Sequence, residues 1–272
     1  MATPIGNLSD ITLRAIEILK SVDLIAAEDT RHTRKLLDHL GISAKLISFH
    51  EHNEEDKSGF LVSEVQSGKT VALVSDAGTP LISDPGHTLV STAKAQGVKV
   101  VPIPGASAVI AALSASGVPC GKFVYEGFLP VKRKAKEDVL SIYQFETKTV
   151  VFYESPHRVV ETLRVMAEIF PDRMMVIARE LTKRFETITS GLVPSLLDWT
   201  IQDPDQQKGE FVLILAGAEK RIADDIVKQE KLLKQLVGHM PPKKAVQIVN
   251  EFYGGDKKEL YAKAVSLRNE TS

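Results

Sequence analysis

The sequence predicts an α/β protein: two α/β domains, the first with a parallel sheet and the second with a mixed sheet, plus a small C-terminal helical module. Up to residue 117, short apolar runs alternate with helical patterns of ten or more residues, which is typical of βαβ units and a parallel sheet. Beyond residue 226 the apolar spacing fits helices alone. We therefore predict domains at residues 1–117 and 121–217 and a helical module at residues 226–270.

In the first domain, apolar spacing and capping residues give the predicted elements. We expect Ser9 to cap the first helix and Thr30 the second, and Asp84 with Pro85 to begin the fourth. The predicted helices end near residues 22, 41, 68, 96 and 116. The predicted strands are residues 23–27, 45–49, 71–74 and 98–103.

The second domain and the module follow from the same criteria. Residues 184–189 are expected to form a hairpin with the strand before them, and residues 218–225 a linker. Asp256 is expected to cap the last helix. The predicted strands are residues 123–128, 149–153, 174–179, 184–189 and 210–216. The predicted helices are residues 133–145, 156–170, 195–199, 226–237, 241–252 and 256–268.

The loop after the apolar run at residues 71–74 is the first candidate ligand site. In an open α/β sheet, ligands bind outside the carboxyl ends of the strands. Gly78 allows the backbone to approach a ligand, and the carboxylates of Asp76 and Asp84 can accept hydrogen bonds from an amine or a ribose. The alternative is an ordinary turn between a strand and a helix.

Composition excludes several classes of protein. With 43% hydrophobic and 25% charged residues and no long apolar stretch, the chain is expected to be globular, cytoplasmic and independent of membranes. No Cys/His cluster has the spacing of metal ligands, so no metal is expected. The glycine-rich dinucleotide motif and the P-loop are both absent.

Charge is unevenly distributed along the chain. Residues 220–272 carry 11 Lys/Arg against 7 Asp/Glu, a net charge of +4, whereas the rest of the chain has a net charge of −5. Two predicted helices around a glycine turn, with lysines nearby, resemble a helix-turn-helix module. The alternative is a helical cap packed on the body. The lysines expected to contact nucleic acid are Lys243, Lys244, Lys257 and Lys258.

Seven segments together resemble one known family over nearly the whole chain. They are TPIGNL at residues 3–8, AEDTRHT at 27–33, SDAGTPLISDPG at 75–86, YEGFLP at 125–130, FYESPHR at 152–158, ARELTK at 178–183 and KGE at 208–210. In these motifs the chain resembles the bacterial ribosomal RNA small subunit methyltransferase I family, within the tetrapyrrole-methylase superfamily.

The resemblance implies S-adenosylmethionine as methyl donor and the 2′-hydroxyl of a cytidine ribose in small-subunit ribosomal RNA as acceptor. It also implies a cleft between two α/β domains and a homodimer. The second domain is expected to close over the cofactor through Tyr153, Glu154 and Arg179. In the first domain, the resemblance implies that the cofactor lies against Pro4, Asp76, Ala77, Gly78, Gly105 and Ser107.

The chemistry would require positioning of the hydroxyl and a group that takes its proton or stabilises the alkoxide. Glu28 is the first candidate base, Lys183 the second, and Arg31 a candidate cationic group. Arg31, His32 and Arg158 are also candidates for contact with the RNA. The alternatives are internal ion pairs for the two arginines and a solvent-facing position for His32.

One departure from the family pattern concerns the first strand. Members of the family normally have a strand directly before the TPIGN segment, where this sequence has only Met1 and Ala2. We expect either that the chain begins late, through truncation or a misassigned start, or that another segment fills the gap in the sheet.

Two other functions are compatible with the sequence. Methylation of a tetrapyrrole ring carbon would use the same fold, although a porphyrin-like substrate would not require a basic helical module. A non-catalytic RNA-binding or ribosome-associated protein would retain the module without the chemistry.

Overall fold

The computed structural model describes residues 1–219 and 226–268 in full, and only the backbone of the helical residues 220–225 and 269–271. Two separate sheets confirm the predicted α/β class. The first sheet is parallel, with strand order β2-β1-β3. The second is mixed, with order β4-β5-β8-β6-β7, and only its β4–β5 pair is parallel.

The strands are short, and four of the eight, β1, β5, β6 and β8, are buried along nearly their whole length. Those of the first sheet are β1 (Leu24–Ala27), β2 (Leu46–Ser48) and β3 (Val71–Val74). Those of the second are β4 (Phe123–Phe128), β5 (Thr149–Glu154), β6 (Met174–Arg179), β7 (Thr187–Leu192) and β8 (Phe211–Leu215). Every residue of β1 and β8 is buried, as expected for central strands covered on both faces.

Eleven α-helices are described. They are α1 (Leu13–Ser21), α2 (Thr30–His39), α3 (Glu54–Gln66), α4 (His87–Ala95), α5 (Ala108–Ala115), α6 (Arg133–Ile142), α7 (Val159–Ile169), α8 (Val193–Gln202), α9 (Lys220–Val237), α10 (Pro242–Tyr253) and α11 (Lys257–Thr271). Of the helices in the described part of the chain, none is both long and apolar enough to cross a bilayer.

Helix α5 connects the two halves of the body. Its Val109, Ala112 and Leu113 share an apolar core with strands of the second sheet, while the opposite face of that sheet packs against α6, α7 and α8. The last three helices have a core of their own, which includes Leu233 and Val249. The cleft described below therefore lies between the first sheet and a second sheet that is covered on its far side.

Two predicted helix caps are wrong by a few residues. Thr12, not Ser9, caps α1 by accepting a hydrogen bond from the Ala15 amide at 3.2 Å. Asp29, not Thr30, caps α2 and accepts from the Arg31 amide at 2.8 Å. In both cases several capping residue types are adjacent in the sequence, and only the backbone path selects between them. Asp256 caps α11 as predicted.

Helix α4 begins at His87 rather than Pro85, so the prediction of Asp84 as its cap is wrong. The carboxylate of Glu54, from α3, accepts hydrogen bonds from the Gly86 amide at 3.0 Å and the Thr88 amide at 2.7 Å. A carboxylate from another helix thus takes the capping role, and Asp84 is left to face the cleft.

Residues 98–103 do not form the predicted strand, because no neighbouring strand pairs with them. Among the described residues, one main-chain hydrogen bond joins this segment to the start of the chain: the Ala2 amide donates to the Ile103 carbonyl at 3.1 Å. Thr3 forms an isolated bridge with Gly78, and the amino group of Met1 donates to the Leu73 carbonyl at 2.9 Å. Residues 1–3 thus lie between β3 and residues 98–103, where the sequence predicted a gap.

The remaining differences concern boundaries. The hairpin partner of β6 is residues 187–192 instead of 184–189, because Glu180 and Thr182 take positive φ in the intervening turn. Helix α9 begins at Lys220, so the predicted linker at 218–225 is shorter, and helix α7 begins at Val159 rather than Pro156. Apolar periodicity located these elements but did not fix their ends.

Candidate active site

A cavity of about 430 Å³ lies between the two sheets, beyond the carboxyl ends of β1, β3, β5 and β6. Its position is that expected for a ligand site in α/β proteins. From the first half of the chain it is lined by Ile5, Glu28, Asp76–Thr79, Ile82–Asp84, Ser107 and Ala108. From the second half it is lined by Phe128, Tyr153–Pro156, Ala178, Leu181 and Glu210–Val212.

The loops that follow β1 and β3 are joined by reciprocal hydrogen bonds. The amide of Asp76 donates to the Glu28 carboxylate at 3.3 Å, and the amide of Asp29 donates to the Asp76 carboxylate at 3.0 Å. Each acidic side chain therefore holds the backbone of the other loop. This exchange keeps two carboxylates at one edge of the cavity.

Three carboxyl groups, those of Glu28, Asp76 and Asp84, line the first-domain side of the cavity. Burial raises the pKa of Glu28, and the negative charges of Asp76 and Asp29 act in the same direction. Burial also raises the pKa of Asp84 to about 6, assisted by Glu28 and Asp76 and opposed by a hydrogen bond from Ser75. A cluster of this kind favours a positively charged ligand, which would relieve the repulsion.

Gly78 lies where the first segment of the chain contacts the central loop. Its backbone is in the left-handed region, with φ of +80°, and a Cβ there would lie 3.4 Å from the Ile5 side chain. The Thr3 amide donates to the Gly78 carbonyl at 2.8 Å, and the Gly78 amide donates back to Thr3 at 3.1 Å. The left-handed backbone conformation therefore favours glycine at this position, whereas the 3.4 Å separation from Ile5 is an ordinary van der Waals contact.

On the second-domain side, Glu154 faces the cavity from a buried polar network. Its carboxylate accepts hydrogen bonds from the Ser155 amide at 2.8 Å and from the Thr162 hydroxyl at 2.5 Å. The Thr162 hydroxyl in turn accepts from the buried Lys136 ammonium at 2.7 Å. The guanidinium of Arg158 lies 3.4 Å from the same carboxylate. These contacts fix the orientation of the Glu154 side chain.

Two aromatic residues that line this side, Tyr153 and Phe128, form a cluster with Tyr125, which does not line the cavity. Tyr153 contacts Tyr125 edge-on at 5.2 Å between ring centroids and Phe128 edge-on at 5.5 Å. Burial raises the pKa of Tyr153, and the neighbouring Tyr125 and the negative charge of Asp84 add to the effect. Tyr153 is therefore a neutral phenol at physiological pH.

Most of the predicted cofactor residues meet in this cavity. Those that line it are Asp76, Ala77, Gly78, Ser107, Tyr153 and Glu154. Pro4 is buried directly before Ile5, which does line the cavity, and Gly105 packs so tightly on Ala2 that an added Cβ would lie 2.9 Å from the Ala2 Cβ. Arg179 is buried beside the cavity, where its guanidinium donates to the carbonyls of Lys208 at 2.9 Å and Phe185 at 3.3 Å.

Of the candidate catalytic groups, only Glu28 lines the cavity. The Lys183 ammonium donates to Glu180 at 2.8 Å and to Glu210 at 3.0 Å. Although burial opposes protonation, these two carboxylates raise the pKa of Lys183. A lysine with a raised pKa stays protonated at neutral pH, so the contacts favour Glu28 as the base. Arg31 is exposed and paired with Asp29 at 2.8 Å.

The predicted RNA-contacting residues lie in two places. His32 and Arg31 are exposed at the start of α2, and Arg158 is half-buried and donates to the Leu129 carbonyl. The other group belongs to the helical module, where all four side chains are exposed: Lys243, Lys244, Lys257 and Lys258.

Several lining residues were missed from the sequence. Phe128 and Phe211 lie at strand ends, a position that could have suggested them, but an isolated phenylalanine there is usually core. Ile82 and Ser83 belong to a loop in which Leu81 and Ser83 take positive φ, a conformation that no sequence pattern indicated. No group of three or more metal-ligating side chains occurs among the described residues.

Two family models match the chain. The model for tetrapyrrole (corrin/porphyrin) methylases matches residues 2–197, and the model for the C-terminal helix-turn-helix domain of RsmI matches residues 223–268. Ribosomal RNA small subunit methyltransferase I of Escherichia coli O157:H7 is 48% identical over 264 residues, which is 97% of this chain and 92% of that protein. Its counterpart in Pseudomonas aeruginosa is 46% identical, over 100% of this chain and 97% of that protein.

This chain belongs to the ribosomal RNA small subunit methyltransferase I family. The predicted family is thereby confirmed.

Solved structures agree on the fold of this family. The methyltransferase CobJ superposes with a TM-score of 0.57 at 19% identity, covering 78% of this chain and 90% of that one. A uroporphyrin-III C-methyltransferase of Thermus thermophilus, complexed with S-adenosyl homocysteine, superposes with a TM-score of 0.54 at 16% identity, over 79% and 95% of the two chains. At these identities the likeness concerns architecture alone.

Proposed function

We propose that this chain is an S-adenosylmethionine-dependent methyltransferase that methylates the 2′-hydroxyl of a cytidine ribose in small-subunit ribosomal RNA. Membership of the ribosomal RNA small subunit methyltransferase I family supports the reaction class. The observation that carries the proposal is the cavity at the strand ends, lined by three carboxyl groups on one side and by Glu154 and the aromatic residues Phe128, Tyr153 and Phe211 on the other.

The residues around the cavity fit S-adenosylmethionine. The cofactor carries an ammonium and a sulfonium, and Asp76 and Asp84 offer carboxylates to compensate these charges. Gly78 leaves room for a close backbone contact. When bound, the cofactor supplies an electrophilic methyl group. The residues proposed to contact the cofactor are Asp76, Ala77, Gly78, Ser107, Tyr153 and Glu154. Pro4, Gly105 and Arg179 do not line the cavity, and we propose that they hold the lining residues in place.

The protein's own contribution to the reaction is orientation and proton transfer. A ribose hydroxyl is a weak acid, and a base within reach that accepts its proton assists attack on the methyl group. Glu28 is the proposed base, since it lines the cavity and burial raises its pKa toward neutrality. The walls of the cleft would shield the hydroxyl from water, which would otherwise compete for the same hydrogen bonds.

RNA binding is proposed to use two charged surfaces. Arg31, His32 and Arg158 lie on the body, and Lys243, Lys244, Lys257 and Lys258 lie on the helical module. The arginine and lysine side chains of these two groups are cationic and can contact phosphates, which positions the nucleic acid without reading its sequence. The chain is further proposed to act in the cytoplasm as a homodimer, and light scattering of the purified protein tests the dimer.

The deciding experiment measures transfer of tritium from methyl-labelled S-adenosylmethionine to small ribosomal subunits lacking the modification, with a precorrin as the competing acceptor. Label on a cytidine ribose, identified after nuclease digestion, supports the proposal. Label on the precorrin would instead support a tetrapyrrole C-methyltransferase. Cofactor binding by calorimetry without transfer to either acceptor would indicate a non-catalytic RNA-binding protein.

A further inference from the structure

Strand β4 contains a bulge directly before the cavity. Tyr125 pairs with Val151, Gly127 with Phe152 and Phe128 with Tyr153, so the β4 strand holds one residue more than β5 between its first and last pairs. Side chains of a regular strand alternate between its two faces, and residues three apart therefore point in opposite directions. The extra residue changes this alternation, so that Tyr125 and Phe128 lie on the same face.

The bulge is built into the contact between the two halves of the chain. Gly127 has φ of +80°, and a Cβ there would lie 3.2 Å from the Ser83 hydroxyl oxygen. That hydroxyl is hydrogen-bonded to the Tyr125 hydroxyl at 2.6 Å. A residue other than glycine would meet both backbone strain and a close contact. The local structure thus directs the Phe128 side chain toward the cleft.

The Phe128 ring lines the cavity yet remains 53% exposed. Its contact with Tyr153 is edge-on, with an interplanar angle of 61°. On the opposite side of the cavity, Gly78 of the central loop is buried, whereas Phe128 is partly exposed to solvent. A half-exposed aromatic ring at the rim of a ligand cleft offers a surface on which a second flat ring can stack.

We propose that Phe128 is the stacking platform for the base of the nucleotide whose ribose is methylated. This inference rests on the proposed function and specifies how its substrate is held. A nucleotide within a stack must swing out for its ribose to enter a cleft, and it loses its stacking partners when it does so. Aromatic side chains replace those partners in proteins that bind unstacked RNA. Four residues further on, the exposed Lys132 precedes α6 and can contact a neighbouring phosphate.

The test compares substitutions that separate aromatic character from size. Phe128→Ala removes the ring, Phe128→Leu keeps apolar volume without a π-face, and Phe128→Trp keeps the π-face. Phe123→Ala is the matched control, because Phe123 lies on the same strand, is 38% exposed and does not line the cavity. For each variant, kcat/KM for tritium transfer to small subunits is measured, together with the Kd of S-adenosylmethionine by calorimetry.

We expect Phe128→Ala and Phe128→Leu to lower kcat/KM by about 10- to 100-fold, the reduction typical of one unstacked base. Phe128→Trp and Phe123→Ala should remain within about threefold of the wild type, as should every cofactor Kd. Cofactor retention also shows that the variants are folded. An undiminished kcat/KM in Phe128→Leu would overturn the inference and leave the proposed function standing.

A parallel loss of cofactor affinity in Phe128→Ala and Phe128→Leu would overturn it as well, because the ring would then stack on the adenine of the cofactor. Wild-type protein that binds the cofactor but transfers no label to subunits would overturn both the inference and the proposed function. The two failures are therefore distinguished by the wild-type measurement alone.

Discussion

At the scale of single residues, acidic side chains at the edge of the cavity hold the backbone of a neighbouring loop. Glu28 accepts the Asp76 amide with one oxygen, and its remaining acceptor capacity faces the cavity. The sequence predicted Glu28 and the loop at Asp76 because both follow apolar strands. It did not predict that the two would exchange hydrogen bonds, since that depends on the distance between neighbouring strands.

We predict that Glu28→Gln lowers kcat for methyl transfer by about 100-fold or more, because an amide can still accept the Asp76 hydrogen bond but cannot take a proton. The Kd of S-adenosylmethionine should change far less. Single-turnover kinetics and calorimetry measure the two effects. Glu17→Gln, on the exposed side of α1, is the control. Wild-type turnover in Glu28→Gln would exclude Glu28 as the base.

Asp84 gives a prediction about stability and pH. Its pKa is raised from 3.8 to about 6 in the folded protein, so the folded state binds this proton more tightly than the unfolded state. The free energy of unfolding therefore falls as pH rises through that window. Asp84→Asn should stabilise the protein at pH 8 by on the order of 1 kcal/mol, reduced by solvent screening at this half-exposed site, and should have little effect below pH 4.

Urea unfolding at both pH values checks this expectation, with the exposed Asp38→Asn as control. A stability gain of the same size at pH 4 would show that the charge of Asp84 is not responsible. A decrease at pH 8 would show that the carboxylate is stabilised by its surroundings.

At the scale of elements, the carboxylate of Glu54 in α3 caps the N-terminus of α4. The Glu54 carboxylate accepts hydrogen bonds from the amide of Gly86, directly before α4, and from the amide of Thr88 in its first turn. Glu54→Ala should lower the free energy of unfolding by about 1–3 kcal/mol, the cost of leaving these donors unpaired. Glu55→Ala, which removes an exposed acid from the same turn of α3, should cost under about 0.5 kcal/mol. Equal decreases in urea unfolding would contradict the capping role.

The elements also show what periodicity can predict. The strands at residues 71–74, 123–128 and 174–179 were predicted at their observed positions, because apolar runs bounded by turn residues mark them. The strand at 98–103 was predicted from the same signal and did not form, since a strand also needs a partner. The bulge at Gly127 escaped prediction because register belongs to a pair of strands rather than to one.

At the scale of the whole molecule, we propose that the acidic body and the basic module bind the same RNA. Replacing Lys243, Lys244, Lys257 and Lys258 by alanine should weaken binding to small-subunit RNA and make it less dependent on salt. The slope of log K against log salt should become shallower by about 1 for every phosphate that is no longer neutralised. Filter binding at several salt concentrations measures this, with Lys94→Ala/Lys99→Ala on the body as control. An unchanged slope would place the RNA elsewhere.

The unpaired segment at residues 98–103 has a consequence for how the protein opens. The first sheet has three strands and the second has five, and between Lys99 and Ile103 no main-chain amide donates to a carbonyl in the described part of the chain. Amide hydrogens of β1 and β3 should therefore exchange with solvent sooner than those of β8, because local opening costs less there.

A molecule bound in the cleft would contact both sheets and so oppose that opening. Its binding would slow exchange at Val71–Val74 by a factor that grows with ligand concentration over Kd. Protection of these four amides would then report occupancy of the cleft directly, without methyl transfer and without RNA. Equal protection of β3 and β8 in the free protein would contradict this expectation.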